Sequence, residues 1–218
     1  MTAPVLASWD GWWWPASDER ARPVLTREVG PAVEWLLSHV PGRELIVQAG
    51  GNVGLFPLAL ADHFATVVTA EPDPANFHCL IKNLSERPTQ AGFEAHCVAF
   101  SDGHGWGDIV EAEPGNCGAH RMAYRPAMQP GPVRVLPIDA LHLSACDAIW
   151  LDCEGSELFA LIGAADTIER FSPTICIEDK GHHRSFGIPD GELQRWLSAH
   201  GYSEVARLGN DKVYRRYA

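Results

Sequence analysis

The sequence predicts an open α/β fold, a mostly parallel sheet with helices on both faces, and three observations carry the prediction. The apolar run Leu45-Ile46-Val47-Gln48-Ala49 breaks into Gly50-Gly51-Asn52-Val53-Gly54 and resumes as Leu55-Phe56-Pro57-Leu58-Ala59-Leu60. That is the pattern of a buried strand, a glycine turn and a helix. A second apolar run, Thr66-Val67-Val68-Thr69-Ala70, ends in Glu71, about 20 residues after Gly50. Two further short apolar runs end in Asp152 and in Glu178. Acidic residues at successive strand tips then surround one crevice, where ligands of open α/β sheets bind.

Taken in order, residues 1–31 read as an extension before the core, with Trp9, Trp12, Trp13 and Trp14 followed by Pro15. These indoles either cover an edge of the core or form a lid over the crevice. Alternation along an extended chain sends Trp12 and Trp14 to one side and Trp13 to the other. Val33, Leu36, Leu37 and Val40 recur at helical spacing, and Pro41-Gly42 ends that helix. After the glycine turn a helix is expected over residues 55–64, then the second strand, then a helix over residues 74–84 with proline in its first turn. Residues 93–100 have the composition of one strand. Residues 104–132 are rich in glycine, proline and polar residues, a long loop with one hairpin near residues 108–111. Val133 to Leu136 resumes as a strand toward Asp139, and residues 155–170 carry Leu158, Leu161, Ile162, Ala165 and Ile168 on one helical face. The end reads as helix (191–200), strand (202–206), a turn at Gly209-Asn210 and strand (212–217).

Composition narrows the function. The 218 residues, 46% hydrophobic and 21% charged, suit one globular domain. With 17 basic and 28 acidic residues the formal charge is −11, which opposes loose binding to nucleic acid; a small-molecule or glycan acceptor fits better. The six cysteines show no C-x-x-C spacing and read as reduced thiols of a cytoplasmic protein. No apolar stretch is long enough to span a membrane, and the N-terminus has no secretion signal.

The glycines let a backbone approach a ligand without a Cβ in the way, and an acidic side chain at the second strand tip is where ribose hydroxyls are held. Both point to a nucleoside-containing cofactor. A pyrophosphate-binding turn wants G-x-G-x-x-G, but this frame begins with Ala49.

The set of Gly50-Gly51-Asn52-Val53-Gly54, Glu71-Pro72-Asp73-Pro74 with Asn76, Asp139, Asp152-Cys153-Glu154-Gly155 with Glu157, and Pro173 with Glu178 resembles the FkbM family of S-adenosylmethionine-dependent methyltransferases, from Gly42 to Tyr214. The D-x-E-G-x-E block after a strand is the most specific piece. Gly115-Asn116 with His120 and Glu178-Asp179-Lys180 are similar to members from phage and environmental sequences. The resemblance implies a Rossmann-like class I methyltransferase fold, with a seven-stranded, mostly parallel sheet whose last strand is antiparallel. It implies S-adenosyl-L-methionine as cofactor, S-adenosyl-L-homocysteine as product, and O-methylation of a hydroxyl on a sugar, glycan or small natural product.

By the same resemblance, cofactor contacts are expected from Gln48, Gly50, Gly51, Asn52, Gly54, Glu71, Pro72, Asn76 and Asp152, with Ser101 and Asp102 where this fold grips adenine. The family's turn begins D-x-G; Gln48 stands in the aspartate's place as a neutral hydrogen-bonding group. Asp152 is expected to face the reaction centre, and Glu154 either to cap the next helix or to act in catalysis. Glu178, Lys180 and His182 follow the next strand end, and His120, with an ordinary imidazole pKa, is a candidate base. Asp152, Glu154 and Glu178 could converge on magnesium, but no diagnostic metal spacing is present and none is expected. Two competing readings are a nicotinamide-dependent oxidoreductase and a non-catalytic module that keeps the pocket. A dehydrogenase has no need of the closing antiparallel hairpin.

Overall fold

The computed structural model describes residues 4–126 and 129–216. Residues 1–3 of the N-terminal extension and Tyr217, the last residue of the expected closing strand, lie outside the described residues. In chain order the elements are β1 (Leu6–Trp9), β2 (Trp12–Pro15), α1 (Arg22–Leu37), β3 (Leu45–Ala49), α2 (Leu55–Leu60), β4 (Thr66–Ala70), α3 (Pro74–Glu86), β5 (Gly92–His96), β6 (Val98–Phe100), β7 (Gly105–Glu111), β8 (His120–Tyr124), β9 (Val133–Leu136), β10 (Ala148–Leu151), α4 (Glu157–Ile162), α5 (Ala165–Phe171), β11 (Thr174–Glu178), α6 (Glu192–Ala199), β12 (Tyr202–Leu208) and β13 (Asp211–Arg216).

Seven strands form the central sheet in the order β12-β13-β11-β10-β3-β4-β5. The five strands from β11 to β5 are parallel, and β13 runs antiparallel to both its neighbours. The pleat divides the core. Leu45, Val47 and Ala49 of β3 point to one side with Ala160, Leu161, Ile168 and Leu197 of α4, α5 and α6. Ile46 points to the other, with Ala32, Val33 and Leu36 of α1 and Leu60 of α2. Complete burial of each such aliphatic side chain contributes roughly 1.5–3 kcal/mol. The carboxyl ends of the parallel strands therefore lie along one edge between two packed layers. No helix among the described residues is long and apolar enough to cross a membrane.

Four expectations are corrected. The first helix begins at Arg22, with Pro31 inside it, so the boundary at residue 31 falls within a helix. The expected strand over 93–100 is two strands in different sheets: β5 ends the central sheet, and β6 pairs with β9 in a four-stranded sheet ordered β6-β9-β7-β8. That second sheet absorbs much of the expected long loop, because β7 and β8 pair antiparallel from Gly107↔Tyr124 to Glu111↔His120. The helix over 155–170 breaks into α4 and α5 at Gly163, where a Cβ would lie 1.9 Å from the Ser101 carbonyl oxygen; the Gly163 carbonyl also accepts from Asp139 N–H at 2.9 Å.

Candidate active site

A large cleft of about 910 Å³ opens at the carboxyl ends of β3, β4, β10 and β11. Its floor is the turn after β3. Gly50 has φ +83° and a Cβ there would lie 2.0 Å from the backbone oxygen of Asp152, so only glycine lets this turn lie against the end of β10. Asn52 also has positive φ (47°) and closes the turn with its own side-chain oxygen on Val53 N–H. Gln48 is buried and spent within the protein: its amide donates to the Gly50 carbonyl at 2.9 Å and its oxygen accepts from Thr69 Oγ1 at 2.6 Å. It ties β3 to β4 and completes the turn. Gly51 and Gly54 do not line the cleft; they pack against Thr69 and Leu80.

One wall follows β4. Glu71 is 5% exposed, and its two oxygens accept from Asn52 N–H (2.7 Å) and Asp73 N–H (2.8 Å). Burial pushes its carboxyl up to about 7 against those hydrogen bonds. Asp73 caps α3 by accepting from Ala75 and Asn76 N–H, and its other oxygen is 2.6 Å from His120 Nδ1. Burial works to raise the Asp73 carboxyl, but His120 and the backbone donors outweigh it and hold it below the usual range. His120 is raised in turn, chiefly by that hydrogen bond, so its pKa is not the ordinary imidazole value expected from the sequence. Asn76 donates through Nδ2 to the Cys117 carbonyl, while its buried Oδ1 has no partner.

The opposite end of the cleft holds an acidic cluster around one ammonium. Lys180 Nζ is 2.8 Å from Glu154 Oε1, 2.7 Å from Glu178 Oε2 and 3.9 Å from Asp152 Oδ1. Burial opposes its charge, yet the three carboxylates hold its pKa well above the ordinary lysine value. The second Glu154 oxygen meets His182 Nδ1 at 2.8 Å. Glu154 is therefore an anchor for Lys180 and His182 and not the helix cap, and its backbone sits at φ +51°. Glu157 takes the capping work by accepting from Cys153 and Gly155 N–H, both at 3.0 Å. Asp152 faces the cleft with 38% of its side chain accessible; its pKa is raised well above normal by desolvation and then by the charge of Glu178. Oxygens of Asp152, Glu154 and Glu178 lie within 4.8 Å of one another, a spacing a cation could use, and the Lys180 ammonium already meets all three. Asp211 faces Glu178 directly across the β11–β13 register, and its carboxyl is raised to about 6 by burial and by Glu178.

The sequence profile of the FkbM methyltransferase domain matches residues 48–204. This chain belongs to the FkbM methyltransferase family. Among solved structures, the FkbM methyltransferase of Methylobacillus flagellatus aligns with a TM-score of 0.55 and 21% identity, over 79% of this chain and 43% of its own. The chain thus spans less than half the length of that protein. The precorrin 8w decarboxylase of Methanobacterium thermoautotrophicum gives 0.54 and 14% over 100% of both chains. An rRNA methylase of Streptococcus thermophilus gives 0.50 and 9%, covering 87% and 96%. At these identities the likeness is one of fold, the Rossmann-like class I methyltransferase architecture. No match was found among curated proteins.

In this FkbM domain several expected residues fall elsewhere than the sequence suggests. Ser101 and Asp102 do not line the cleft, because the sheet strand ends at His96 and not at Phe100; Val98 and Ala99 line it instead. Ser101 is buried against Gly163 and bonds Asp102 at 3.2 Å. Pro72 and Asn76 do line the cleft, as do Glu178, Lys180 and His182. Asp139 is structural: it accepts from Asp166 N–H, Thr167 N–H and Thr167 Oγ1 at the start of α5. None of Trp9, Trp12, Trp13 or Trp14 lines the cleft; Val24, Arg27, Glu28 and Pro31 of α1 do. Sequence reasoning missed those α1 residues, along with Asp211. For α1 there was no signal, since an approach in space leaves no spacing in the chain. The D-P pair at Asp73-Pro74 does announce a helix cap, but not its partner His120.

Proposed function

We propose that this chain is an S-adenosylmethionine-dependent O-methyltransferase acting on a hydroxyl of a sugar, glycan or small natural product. The observation that carries the reading is the contact of the glycine turn with the end of β10, which sets Asp152 and its cluster directly beside the cofactor cradle. The residues present fit the cofactor. Gly50 keeps the turn open to close approach, Glu71 has lone pairs to spare for ribose hydroxyls, and Asn76 Oδ1 is a buried acceptor waiting for a donor. Val98, Ala99 and Pro72 supply apolar surface for a nucleobase. When bound, the sulfonium supplies an electrophilic methyl carbon.

The protein's own work is to position the acceptor and take its proton. Asp152 receives the hydroxyl proton; its raised pKa makes its carboxylate a stronger base than an exposed aspartate. Lys180 offsets the negative charge of Glu154 and Glu178 and acts to lower the Asp152 pKa against desolvation and the charge of Glu178. Glu154 positions Lys180 and His182. The acceptor end carries Glu28, Asp152, Glu178 and Asp211 against Arg27 and Lys180, a field that repels phosphates and suits neutral hydroxyls.

Calorimetric titration with S-adenosylhomocysteine, followed by transfer of labelled methyl to a panel of sugars, glycans and small hydroxylated compounds, tests the proposal. Binding with transfer to a hydroxyl is expected. Binding of a nicotinamide cofactor in place of S-adenosylhomocysteine, or binding with no transfer to any oxygen acceptor, would overturn it.

A further inference from the structure

His120 stands apart from the acidic cluster, on the wall that carries Glu71 and Asn76, and all three line the cleft. Its Nδ1 is fixed on Asp73 Oδ2 at 2.6 Å. An ionised carboxylate only accepts, so Nδ1 carries the hydrogen, and Nε2 has no partner among the described residues. Next to it Asn76, 2% exposed, presents an Oδ1 with no partner, and Glu71 has committed only part of its acceptor capacity to Asn52 and Asp73. The three residues line one cleft and bring to it two acceptors and, on the protonated ring, one donor. A vicinal diol is their complement, since its two O–H groups can donate to Glu71 and Asn76 while a lone pair accepts.

We propose that His120 is a cofactor-binding residue and not a base: fixed on Asp73 through Nδ1, it offers Nε2 to the ribose diol of the nucleoside, donates Nε2–H when the ring is protonated, and completes the set begun by Glu71 and Asn76. The identity of that nucleoside rests on the methyltransferase reading. With Nδ1–H kept by Asp73, Nε2 bears a hydrogen only while the ring is charged; neutral, it turns from donor to acceptor. The charged groups facing the ring are Asp73, Glu111 and Glu71, all of which favour the imidazolium. Affinity for the nucleoside therefore falls as pH rises through the raised pKa of His120. Ionisation of Glu71 near 7 acts in the opposite sense on the acid side.

The test is titration of S-adenosylhomocysteine into the wild type, His120→Gln and His120→Ala between about pH 5.5 and 9, with folding followed by circular dichroism. In the wild type, affinity should fall on the alkaline side. His120→Gln should bind within a few-fold of wild type at its best pH and lose that His120-dependent fall, because a carboxamide donor does not titrate. His120→Ala should bind roughly 10-fold or more weakly on the acid side of that fall. The amino group of the probe titrates alike in all three proteins, so the difference between curves isolates His120. An identical alkaline fall in wild type and His120→Gln, or wild-type affinity in His120→Ala, would overturn the inference while leaving the methyltransferase reading intact. Failure of the probe to bind the wild type would remove that reading and this inference with it.

Discussion

Glu71 and Asp152 are both carboxylates at strand tips, yet their surroundings give them different work. Glu71 is enclosed and receives two backbone donors, so it is built to hold a fixed partner. Glu71→Ala should weaken S-adenosylhomocysteine binding by roughly 1–3 kcal/mol, measured by calorimetry, because the Asn52 and Asp73 N–H groups lose their acceptor along with the proposed ribose contact. Asp152 faces open cleft and like charges. Asp152→Asn should leave folding and most cofactor affinity in place while methyl transfer falls roughly 100-fold or more; undiminished turnover would remove Asp152 from the proton path. Glu157 offers a pH test at the same scale. Its buried carboxyl titrates at about 7 instead of 4.5, so the folded state holds a proton that the unfolded state has released, and the stability present below 4.5 is lost as pH rises toward 7. Glu157→Gln keeps the acceptor oxygen for Cys153 and Gly155 N–H but does not ionise. Its melting temperature should change less over that window than the wild type's.

At the scale of elements, two turns decide the site. The turn from β3 to α2 lies against β10 only because Gly50 has no side chain and sits at positive φ. Gly50→Ala should cost about 3 kcal/mol or more in a denaturation experiment, since both the backbone conformation and the clash with the Asp152 carbonyl oppose it. Ordinary stability in that variant would mean the two strand ends are farther apart than described. The turn from β10 to α4 is built the same way. Glu154 is held in the left-handed region, and Gly155, at φ +112°, lies so close to His182 that a Cβ would be 2.6 Å from that residue's carbonyl carbon. The strain at Glu154 is offset by its bonds to Lys180 and His182, which is how a turn and a separate loop come to share one cluster.

For the whole molecule, the N-terminal hairpin is part of the fold's packing. β1 and β2 pair from Leu6↔Pro15 to Trp9↔Trp12. Trp14 is fully buried among Ala21, Val53, Leu55, Cys79 and Cys117, Trp13 donates to Glu86 at 2.8 Å, and Trp12 lies under the Arg87 guanidinium. The alternation expected from an extended segment holds, and both sides are occupied by the protein itself. Asp18 then accepts from Ala21, Arg22 and Cys117 N–H, fastening the chain into α1 beside the cleft. Trp14→Ala should destabilise the protein by about 3–5 kcal/mol, read as a shift in the denaturation midpoint. Deleting the chain up to Ala16 should lower thermal stability more than cofactor affinity. A deletion that abolished binding while leaving the melting temperature unchanged would restore the lid.

The sequence by itself determined the layered α/β fold, the glycine turn and the acidic strand tips, because strand and helix periodicities, glycine at strained positions and residues at strand ends are all local signals. Glu71, Asp152 and Glu178 were legible on those grounds. It could not show that residues 93–100 divide between two sheets, since one apolar run looks the same whether or not it changes partners at Cys97, and this displaced Ser101 and Asp102 from the cleft. Nor could it show that His120 meets Asp73, that Lys180 sits among three carboxylates, or that α1 and not the tryptophans walls the cleft. Those are contacts between residues far apart in the chain. Their charge states follow from burial and neighbours that exist only once the layers have packed.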